Sequence, residues 1–289
     1  MTTIQLALPK GRMEQGVLQL LNDAGIKVKA SSRGYRPMIS LPDFDTKVLK
    51  PQNIVEMLDV GSRDIGFAGA DWVDELNAEV VELLDTGLDP VRLVAAAPAE
   101  LLKDGKLPHS GPGRPLLIAS EFEQLTTRWI QSQKIDARFV RSFGATEVFP
   151  PEDADCIVDV AATGATLAAN GLHVVGEVKR SSTRLYAHPR AMQDPAKRAK
   201  IEPLVLILKA VLEARKRVMI EVNVPRDRLE AVCKVLPCMR EPTISPLHGE
   251  AGYAVKSAVP RDMLPTLIPE LKRQGGSDIV VSTLSQIVP

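Results

Sequence analysis

The chain has 289 residues, of which 45% are apolar and 25% are charged, a composition typical of folded globular proteins and not of disordered chains. Its 36 lysines and arginines balance its 36 aspartates and glutamates, and only 4% of its residues are aromatic. Without a net positive charge or many aromatic platforms, nucleic-acid binding is not expected. A chain of this length has room for more than one domain.

No apolar run approaches the ~20 residues of a membrane span. The first residues, MTTIQLALPKGR, lack the basic start and the long apolar stretch of a signal peptide. Three cysteines are too few for a disulfide framework, and the four histidines show no metal-binding spacing. We therefore expect a cytoplasmic protein without a membrane segment.

The first ninety residues alternate strand and helix signals. IQLAL predicts a strand, and an apolar stripe over 13–24 predicts the helix that follows it. A short helix with proline at its start is expected over 51–60. DIGFAG is expected to form a strand, the segment 70–84 the next helix, and VRLVAAA another strand. This order is typical of parallel βαβ units.

A second series of the same kind begins near residue 112. LLIAS, ARFVRSF, CIVDV and LHVVGEV are predicted strands, and EFEQLTTRWIQSQ is a predicted helix. A long helix follows, with apolar residues from Ile201 to Leu212 at helical spacing. It ends in the cationic run 215–217, which is favourable at a helix carboxyl end. That run is a predicted domain boundary.

The last seventy residues contain an internal repeat. VNVPRDRLEAVCKVL and SAVPRDMLPTLIPEL each place Pro-Arg-Asp in the first turn of a predicted helix. With strands expected around TISPL, GYAVKSA and DIVVSTL, the order is β-α-β-β-α-β, the ferredoxin-like arrangement. A domain of this kind is either a ligand sensor or an oligomerisation module, and the residues alone leave both open.

The segment IVDVAATGATL is the strongest local signal for a site. It passes from a predicted strand into a short helix, and its small residues would let an anion approach the backbone N–H groups. Asp159, just before the turn, could accept hydrogen bonds from ribose hydroxyls. The structural alternative is that Thr163 caps the helix and the alanines are merely good helix formers. No lysine follows Gly164, so the segment is not a Walker loop.

Two other strand ends carry candidate ligands. LPKGR places Lys10 and Arg12 beyond the first strand, where ligands of open α/β sheets bind, although a solvated cation pair is the alternative. GFAGADW places Gly69, Ala70 and Asp71 at a strand-to-helix junction, where an aspartate helix cap is the alternative.

Together these stretches resemble one family. LPKGR, DIGFAGADW and GATEVFPPEDADCIVDVAATGATLAANGL are similar to segments of ATP phosphoribosyltransferases. VNVPRDRL, REPTISPL and SAVPRD are similar to the regulatory, ACT-like domain of that family's long form. The resemblance covers essentially the whole chain.

The resemblance implies an α/β fold. We expect two periplasmic-binding-protein-like (type II) α/β lobes with a cleft, plus a C-terminal ferredoxin-like β-α-β-β-α-β domain. The implied boundaries are 1–93 with 180–212 for the first lobe, 94–179 for the second lobe, and 213–289 for the regulatory domain.

It also implies a reaction, the first step of histidine biosynthesis. Adenine N1 of ATP attacks C1 of phosphoribosyl pyrophosphate and releases pyrophosphate, with Mg²⁺ required and with feedback inhibition by histidine. This chemistry needs no covalent enzyme nucleophile, so the absence of a Ser-His-Asp or Cys-His pattern is expected. The protein would contribute positioning, worth ~7–11 kcal/mol at best. The family's long form further implies a homo-oligomer, with dimers associating into a hexamer.

The resemblance implies a role for each candidate residue by position. The expected catalytic residues are Lys10, Glu147 and Asp159, of which the two acids would bind ribose hydroxyls or magnesium. The loop expected to hold the ribose 5-phosphate consists of Ala161, Ala162, Thr163, Gly164, Ala165, Thr166 and Leu167. Those expected beside ATP or the pyrophosphate are Lys10, Arg12, Arg33, Gly69, Ala70 and Asp71. The implied histidine site consists of Asn223, Met239, Thr243 and Ala258.

Several positions depart from the family pattern. LKPQNI, with Lys50 and Asn53, stands where many members have an Arg-Pro-x-Asp-Ile-like segment, and lysine lacks the bidentate geometry of arginine. Phe122 and Glu123 stand where a Tyr-Pro pair is common. Asn223 stands where an acid can occur, and a neutral amide would bind an α-ammonium group less strongly.

Two other function classes remain open on the residues alone. One is a non-catalytic two-lobed protein that binds a phosphorylated metabolite, and the other is an amino-acid-sensing regulator whose core lacks activity. Both predict ligand binding without turnover.

Overall fold

The structure is a computed structural model, and it describes residues 2–29 and 34–288. The chain divides into two compact units. The first comprises the described parts of 1–19 and 26–201, and the second those of 20–25 and 202–289.

The elements alternate along the first two thirds of the chain. The strands are β1 (Ile4–Pro9), β2 (Val28–Lys29), β3 (Met38–Ile39), β4 (Phe44–Leu49), β5 (Ile65–Gly69), β6 (Val81–Pro98), β7 (Leu116–Ser120), β8 (Ala137–Arg141), β9 (Cys156–Ala161), β10 (Leu172–Ala187), β11 (Arg217–Val224), β12 (Thr243–Pro246), β13 (Tyr253–Pro260) and β14 (Ser277–Thr283). The α-helices are α1 (Glu14–Asp23), α2 (Pro51–Asp59), α3 (Ala70–Glu75), α4 (Glu123–Gln133), α5 (Ala165–Ala169), α6 (Pro189–Gln193), α7 (Pro195–Lys216), α8 (Leu229–Val235) and α9 (Leu264–Arg273).

The first unit is built on one eight-stranded mixed sheet. Its strand order is β4-β1-β5-β10-β6-β9-β7-β8. Strand β1 runs parallel to β4 and β5, and β7 runs parallel to β8 and β9. The long strands β6 and β10 pair antiparallel with each other in the middle and belong to both halves. Strand β5 is buried throughout, as expected for a strand covered on both faces.

The register of the two central strands makes the two halves face each other. The last residue of β5, Gly69, pairs with Thr183 of β10. The last residue of β9, Ala161, pairs with Arg92 of β6, and Arg92 in turn pairs with Arg180 of β10. Because β5 and β9 run in opposite directions, their carboxyl ends point toward each other. The two levels are three positions apart on β10, which at ~3.3 Å per residue is roughly 10 Å along the strand. We expect such opposed carboxyl ends to border a cleft.

The segment that joins β5 to β6 differs from its sequence-based expectation. The segment 70–84 was expected to be a single helix, but α3 ends at Glu75 and β6 begins at Val81. Asn77 has a left-handed backbone with a φ of 49°, which ends the helix. The predicted strand VRLVAAA is the second half of β6. Asp89 and Pro90 are looped out of its pairing with β10, so proline interrupts no ladder hydrogen bond there.

The predicted lobe boundaries near residues 93 and 180 fall inside β6 and β10. A division there would cut the two long strands that both halves share. The lobe boundaries stay a prediction.

The second unit has the predicted ferredoxin-like order of elements. Its sheet order is β12-β13-β11-β14, with β11 antiparallel to both β13 and β14. Its core is formed by alternate residues of β11 and β13 packed against α8 and α9, including Ile220, Val232 and Leu271. Both copies of the Pro-Arg-Asp repeat begin a short 3-10 helix, at Arg226–Arg228 and Arg261–Met263. The fold predicted from the sequence is confirmed.

The length and polarity of the helices bear on whether any of them could span a membrane. Within residues 2–29 and 34–288, every helix is too short or too polar to cross a bilayer.

Two glycines in the second unit provide a matched stability test. Both have positive φ, 134° at Gly252 and 68° at Gly249, but a Cβ at Gly252 would overlap the carbonyl oxygen of Val224, whereas one at Gly249 would meet nothing within 4 Å. We expect Gly249→Ala to cost about 1 kcal/mol of backbone strain. Gly252→Ala should cost about 3 kcal/mol or more, because β11 must shift as well.

Hydrogen–deuterium exchange of the β11 and β13 amides measures both costs within the second unit. Equal protection in the two variants would contradict the predicted steric overlap.

Candidate active site

The carboxyl end of β1 presents two cations. The N–H of Lys10 donates to the carbonyl of Leu49 at 2.8 Å, and its Nζ lies 5.2 Å from the centre of the Tyr35 ring, a cation–π distance. Arg12 Nη1 donates to the carbonyl of Asp89 at 2.9 Å, at the point where Asp89 leaves the β6 ladder. Both cations are exposed, so they remain accessible to an anion.

The carboxyl end of β5 is shaped around a buried carboxylate. Asp71 is 2% exposed, its Oδ1 accepts the Trp72 N–H at 2.9 Å, and its own N–H donates to Ser181 Oγ at 3.1 Å. A Cβ at Gly69 would overlap Asp71 Oδ1, so glycine is required for this carboxylate position. Burial raises the pKa of Asp71, an effect opposed by the Trp72 and Ser181 hydrogen bonds and by the charge of Arg12.

The opposite edge carries the small-residue loop 161–167. Its two ends, Ala161 and Leu167, are buried in a core cluster, while Ala162, Thr163 and Thr166 between them are exposed. Thr163 Oγ1 accepts the Ala165 N–H at 3.3 Å. The loop is thus anchored at both ends and open along its middle. Thr163 lies one residue before Gly164, which caps α5, so the expected threonine cap is displaced by one position.

Asp159 is the central ionisable group of this edge. Burial raises its pKa to about 6; a hydrogen bond from the Val160 N–H, at 2.6 Å from Oδ1, opposes the rise, and the charges of Glu147 and Glu121 add to it. Three acids from different segments are therefore close enough to repel one another. A ligand with hydroxyl donors or positive charge would relieve that repulsion.

Two buried serines and a buried threonine form hydrogen bonds beside the segments that carry these acids, and no sequence motif indicated them. Ser120 is fully buried; its Oγ donates to the Val158 carbonyl at 2.6 Å and accepts the Phe122 N–H at 2.9 Å. Ser142 and Thr146 share a hydrogen bond of 2.8 Å beside the 3-10 helix that carries Glu147. Their only sequence signal is a polar residue at the end of an apolar strand.

Glu75, which the sequence also did not indicate, connects the two edges. It is 6% exposed, and its two carboxylate oxygens accept the N–H groups of Gln124 and Leu125 at 3.1 and 3.0 Å, in the first turn of α4. The Trp72 and Phe122 rings pack alongside, with centroids 4.6 Å apart. Helix α3, which carries Asp71, is thereby fixed to α4 in the other half of the sheet. Phe122 is a core residue here.

The expected ligands therefore fall into two groups on opposed edges. Lys10, Arg12, Gly69, Ala70 and Asp71 belong to one edge, and Glu147, Asp159 and the loop 161–167 belong to the other. Arg33 lies outside the described residues. Lys50 is the exposed residue just before α2, and Asn53 Nδ2 donates to Glu56 at 3.0 Å.

The second unit has a cavity of about 500 Å³ at the end of β12. Met239, Thr243 and Ala258 line it, together with Arg240 and Glu241. Asn223, the fourth expected residue, does not line this cavity. Its Nδ2 donates to Asp278 at 3.2 Å, on the β14 side of β11.

Comparisons with known proteins agree along the whole chain. A family model described as ATP phosphoribosyltransferase matches residues 50–210, and one described as HisG, C-terminal domain, matches 214–286. An ATP phosphoribosyltransferase of Pelotomaculum thermopropionicum is 34% identical over 291 residues, covering 99% of both chains. One of Chlorobium luteolum is 33% identical, covering 99% of this chain and 97% of the relative.

A solved structure is also similar. The ATP phosphoribosyl transferase (HisG:HisZ) complex from Thermotoga maritima contains a chain that is 26% identical, with a TM-score of 0.63. The match covers 73% of this chain and 99% of that one.

The raised pKa of Asp159 predicts a stability change with a definite sign. Between its usual pKa of 3.8 and its folded pKa of about 6, the folded state binds more protons than the unfolded state, so stability falls as pH rises through this window. Asp159→Asn keeps an acceptor for the Val160 N–H and removes the charge. At pH 7.5 the variant should be more stable than the wild type by on the order of 1–2 kcal/mol.

Thermal melts from pH 5 to pH 8 measure the effect, and the difference should shrink toward pH 5. Asp153→Asn, an exposed neighbour, is the control and should follow the wild type. A destabilised Asp159→Asn protein at pH 7.5 would show that the carboxylate stabilises the fold.

Proposed function

The chain belongs to the ATP phosphoribosyltransferase family, pentosyltransferases that catalyse the first step of histidine biosynthesis, and from that premise we propose how its residues carry out the reaction. The enzyme predicted from the sequence is confirmed, in place of a non-catalytic binding protein. The single observation that carries the residue assignment is the opposition of the β5 and β9 carboxyl ends, each with its own group of ligands.

We assign phosphoribosyl pyrophosphate to the β9 edge. Backbone N–H groups and threonine hydroxyls of the loop 161–167 would bind the 5-phosphate, and Asp159 and Glu147 would accept hydrogen bonds from the ribose hydroxyls. As the bond from C1 to the pyrophosphate oxygen breaks, positive charge develops on the ribose. The acids Asp159, Glu147 and Glu121 favour that charge electrostatically, which supports this assignment.

We assign ATP to the β1–β5 edge. Lys10 and Arg12 would neutralise its phosphates, and Gly69, Ala70 and Asp71 would lie beside the nucleotide. The exposed Tyr35 ring next to Lys10 is an additional surface for the adenine. Adenine N1 then approaches C1 from across the cleft, forms the new bond, and needs no enzyme nucleophile.

Mg²⁺ is the metal we propose for this site. The described residues contain no group of three or more His, Cys, Asp and Glu side chains placed to hold a metal ion. Substrate oxygens and water would supply most of its coordination, and the carboxylates of Asp159 and Glu147 would add oxygen donors of the kind that Mg²⁺ prefers. When bound, the ion would neutralise charge on the departing pyrophosphate.

The direct test mixes ATP, phosphoribosyl pyrophosphate and Mg²⁺ with the protein. Product forms with a changed ultraviolet absorbance of the N1-substituted adenine, and pyrophosphatase pulls the equilibrium forward. No absorbance change under these conditions would refute the proposed activity.

The loop assignment predicts a selective defect. Replacing Thr163 and Thr166 together by valine removes two hydroxyl donors while keeping side-chain shape, so affinity for phosphoribosyl pyrophosphate should fall about 10-fold or more, at about 1 kcal/mol per lost hydrogen bond. ATP affinity should change less than 2-fold. Isothermal titration with each substrate measures both.

The half-buried Thr127 of α4 serves as the control, and Thr127→Val should leave both affinities unchanged. Equal loss of both affinities in the double variant would indicate a folding defect instead.

We further propose that histidine inhibits the enzyme through the cavity of the second unit. Met239, Thr243 and Ala258 line that cavity, and Glu241 is an acid available there for the α-ammonium group, which the neutral amide of Asn223 would bind less strongly. Arg240 would then face the α-carboxylate. A homo-oligomer of dimers associating into a hexamer, and a cytoplasmic location, complete the proposal.

The regulatory assignment predicts a large effect on histidine inhibition at one position and little effect at another. Glu241→Gln should raise the histidine concentration for half-inhibition about 10-fold or more, because a charge-assisted hydrogen bond is lost. Asn223→Ala should change it less than 2-fold. Initial rates across a histidine titration measure both, and a larger effect at Asn223 would move the site to the β14 side of β11.

A further inference from the structure

We propose that Arg92 and Arg180, at the floor of the cleft, form the site for the pyrophosphate group of phosphoribosyl pyrophosphate. This inference rests on the proposed function and adds two residues that no sequence motif indicated. It follows from the pairing register of β6 and β10, from the partners of the two side chains, and from their position beside the loop 161–167.

The two arginines lie directly opposite each other on neighbouring strands. Arg180 of β10 pairs with Arg92 of β6, between the regular pairs Lys179–Leu93 and Ser181–Val91. Directly opposed residues of an antiparallel pair project to the same face of the sheet, with Cβ atoms about 4.5–5.5 Å apart. The sheet therefore carries two arginine side chains on the same face at neighbouring positions.

This arrangement is unfavourable in the absence of an anion. Like charges directly opposite each other on adjacent strands destabilise a sheet. Arg180 forms an ion pair with Glu177, which lies 2.8 Å from its Nε, and 79% of its side chain is exposed. Arg92 is exposed and has no ion-pair or side-chain hydrogen-bond partner among residues 2–29 and 34–288. By contrast, Arg184, farther along β10, pairs with both Glu82 and Asp85.

The pair lies beside the loop assigned to the 5-phosphate. Arg92 is also the cross-strand partner of Ala161, the first residue of that loop, so both belong to the same face of the sheet. Lys179, the neighbour of Arg180, projects to the other face and binds Asp74 there. The cationic pair is thus confined to the face where the phosphoribosyl group would lie.

The chemistry of the leaving group calls for cations close to the departing pyrophosphate. When the C1–oxygen bond breaks, its electron pair stays on the pyrophosphate oxygen, while adenine N1 forms the new bond to C1. The nearby acids Asp159, Glu147 and Glu121 suit the ribose and would repel a polyanion. No lysine stands in the loop, and Lys10 and Arg12, at the β1 edge, are assigned to the ATP phosphates. Two guanidinium groups match phosphate oxygens in bidentate geometry.

Inorganic pyrophosphate with Mg²⁺ is the probe, titrated calorimetrically into the full-length protein at fixed ionic strength. Arg92→Gln and Arg180→Gln should each weaken pyrophosphate binding about 10-fold or more. Arg92→Lys should weaken it less than Arg92→Gln, because lysine keeps the positive charge but lacks the bidentate geometry of the guanidinium group. ATP affinity should change less than 2-fold. The melting temperature of Arg92→Gln should stay the same or rise, since the repulsion between the arginines is removed.

Arg138→Gln is the control, because Arg138 is an exposed strand arginine of β8 outside the cleft. Pyrophosphate affinity in Arg92→Gln and Arg180→Gln equal to that of Arg138→Gln would overturn the inference. A lower melting temperature of these two variants, together with equal losses of ATP and pyrophosphate affinity, would also overturn it, because that result would indicate that the arginines stabilise the fold. A wild-type protein that makes no product refutes the proposed function, whereas an active wild type with unaffected arginine variants refutes this inference alone.

Discussion

The antiparallel pairing of β6 with β10 is the constraint on which the first unit depends. These two strands lie at the centre of the eight-stranded sheet. The parallel set β4-β1-β5 flanks β10, and the parallel set β9-β7-β8, which runs in the opposite direction, flanks β6. A shift of either strand would separate the carboxyl ends of β5 and β9 or bring them past each other. The looped-out Asp89 and Pro90 lie between the two levels, so the irregular part of the pairing forms the middle of the cleft.

The cleft keeps charges that cost the fold stability. Asp159 is ionised at neutral pH only against its burial and two neighbouring acids, and Arg92 faces Arg180 across the sheet. Both arrangements are unfavourable for the folded protein without a ligand. The acids suit a ligand group that develops positive charge, and the arginines suit a neighbouring group that is negatively charged. Residues that oppose folding locally are expected where a protein binds charged substrates.

The local features of the chain could be predicted from sequence, whereas its long-range pairings could not. The strand CIVDV, its turn and the ferredoxin-like tail follow from periodicity, glycine and proline, which act within a few residues. Helix α3 was predicted too long because Asn77, a weak helix breaker, ends it through a left-handed backbone. Glu75 and Arg92 show no local signal at all, since their roles depend on partners about fifty or ninety positions away. The position of Asn223 on the β14 side of β11 could not be predicted either, because its strand pairs with β14 as well as with β13.

The connectivity of β10 also has a consequence for how the protein is made. The backbone N–H of Asp71 meets its hydroxyl acceptor on Ser181, 110 positions later, and β5 pairs with the residues just beyond it. Until that segment has left the ribosome, the fully buried strand β5 has one unpaired edge. Exposed strand edges of this kind invite association between nascent chains. The first half of the sheet therefore closes late in synthesis, and the chain depends on β10 to protect its earliest strands.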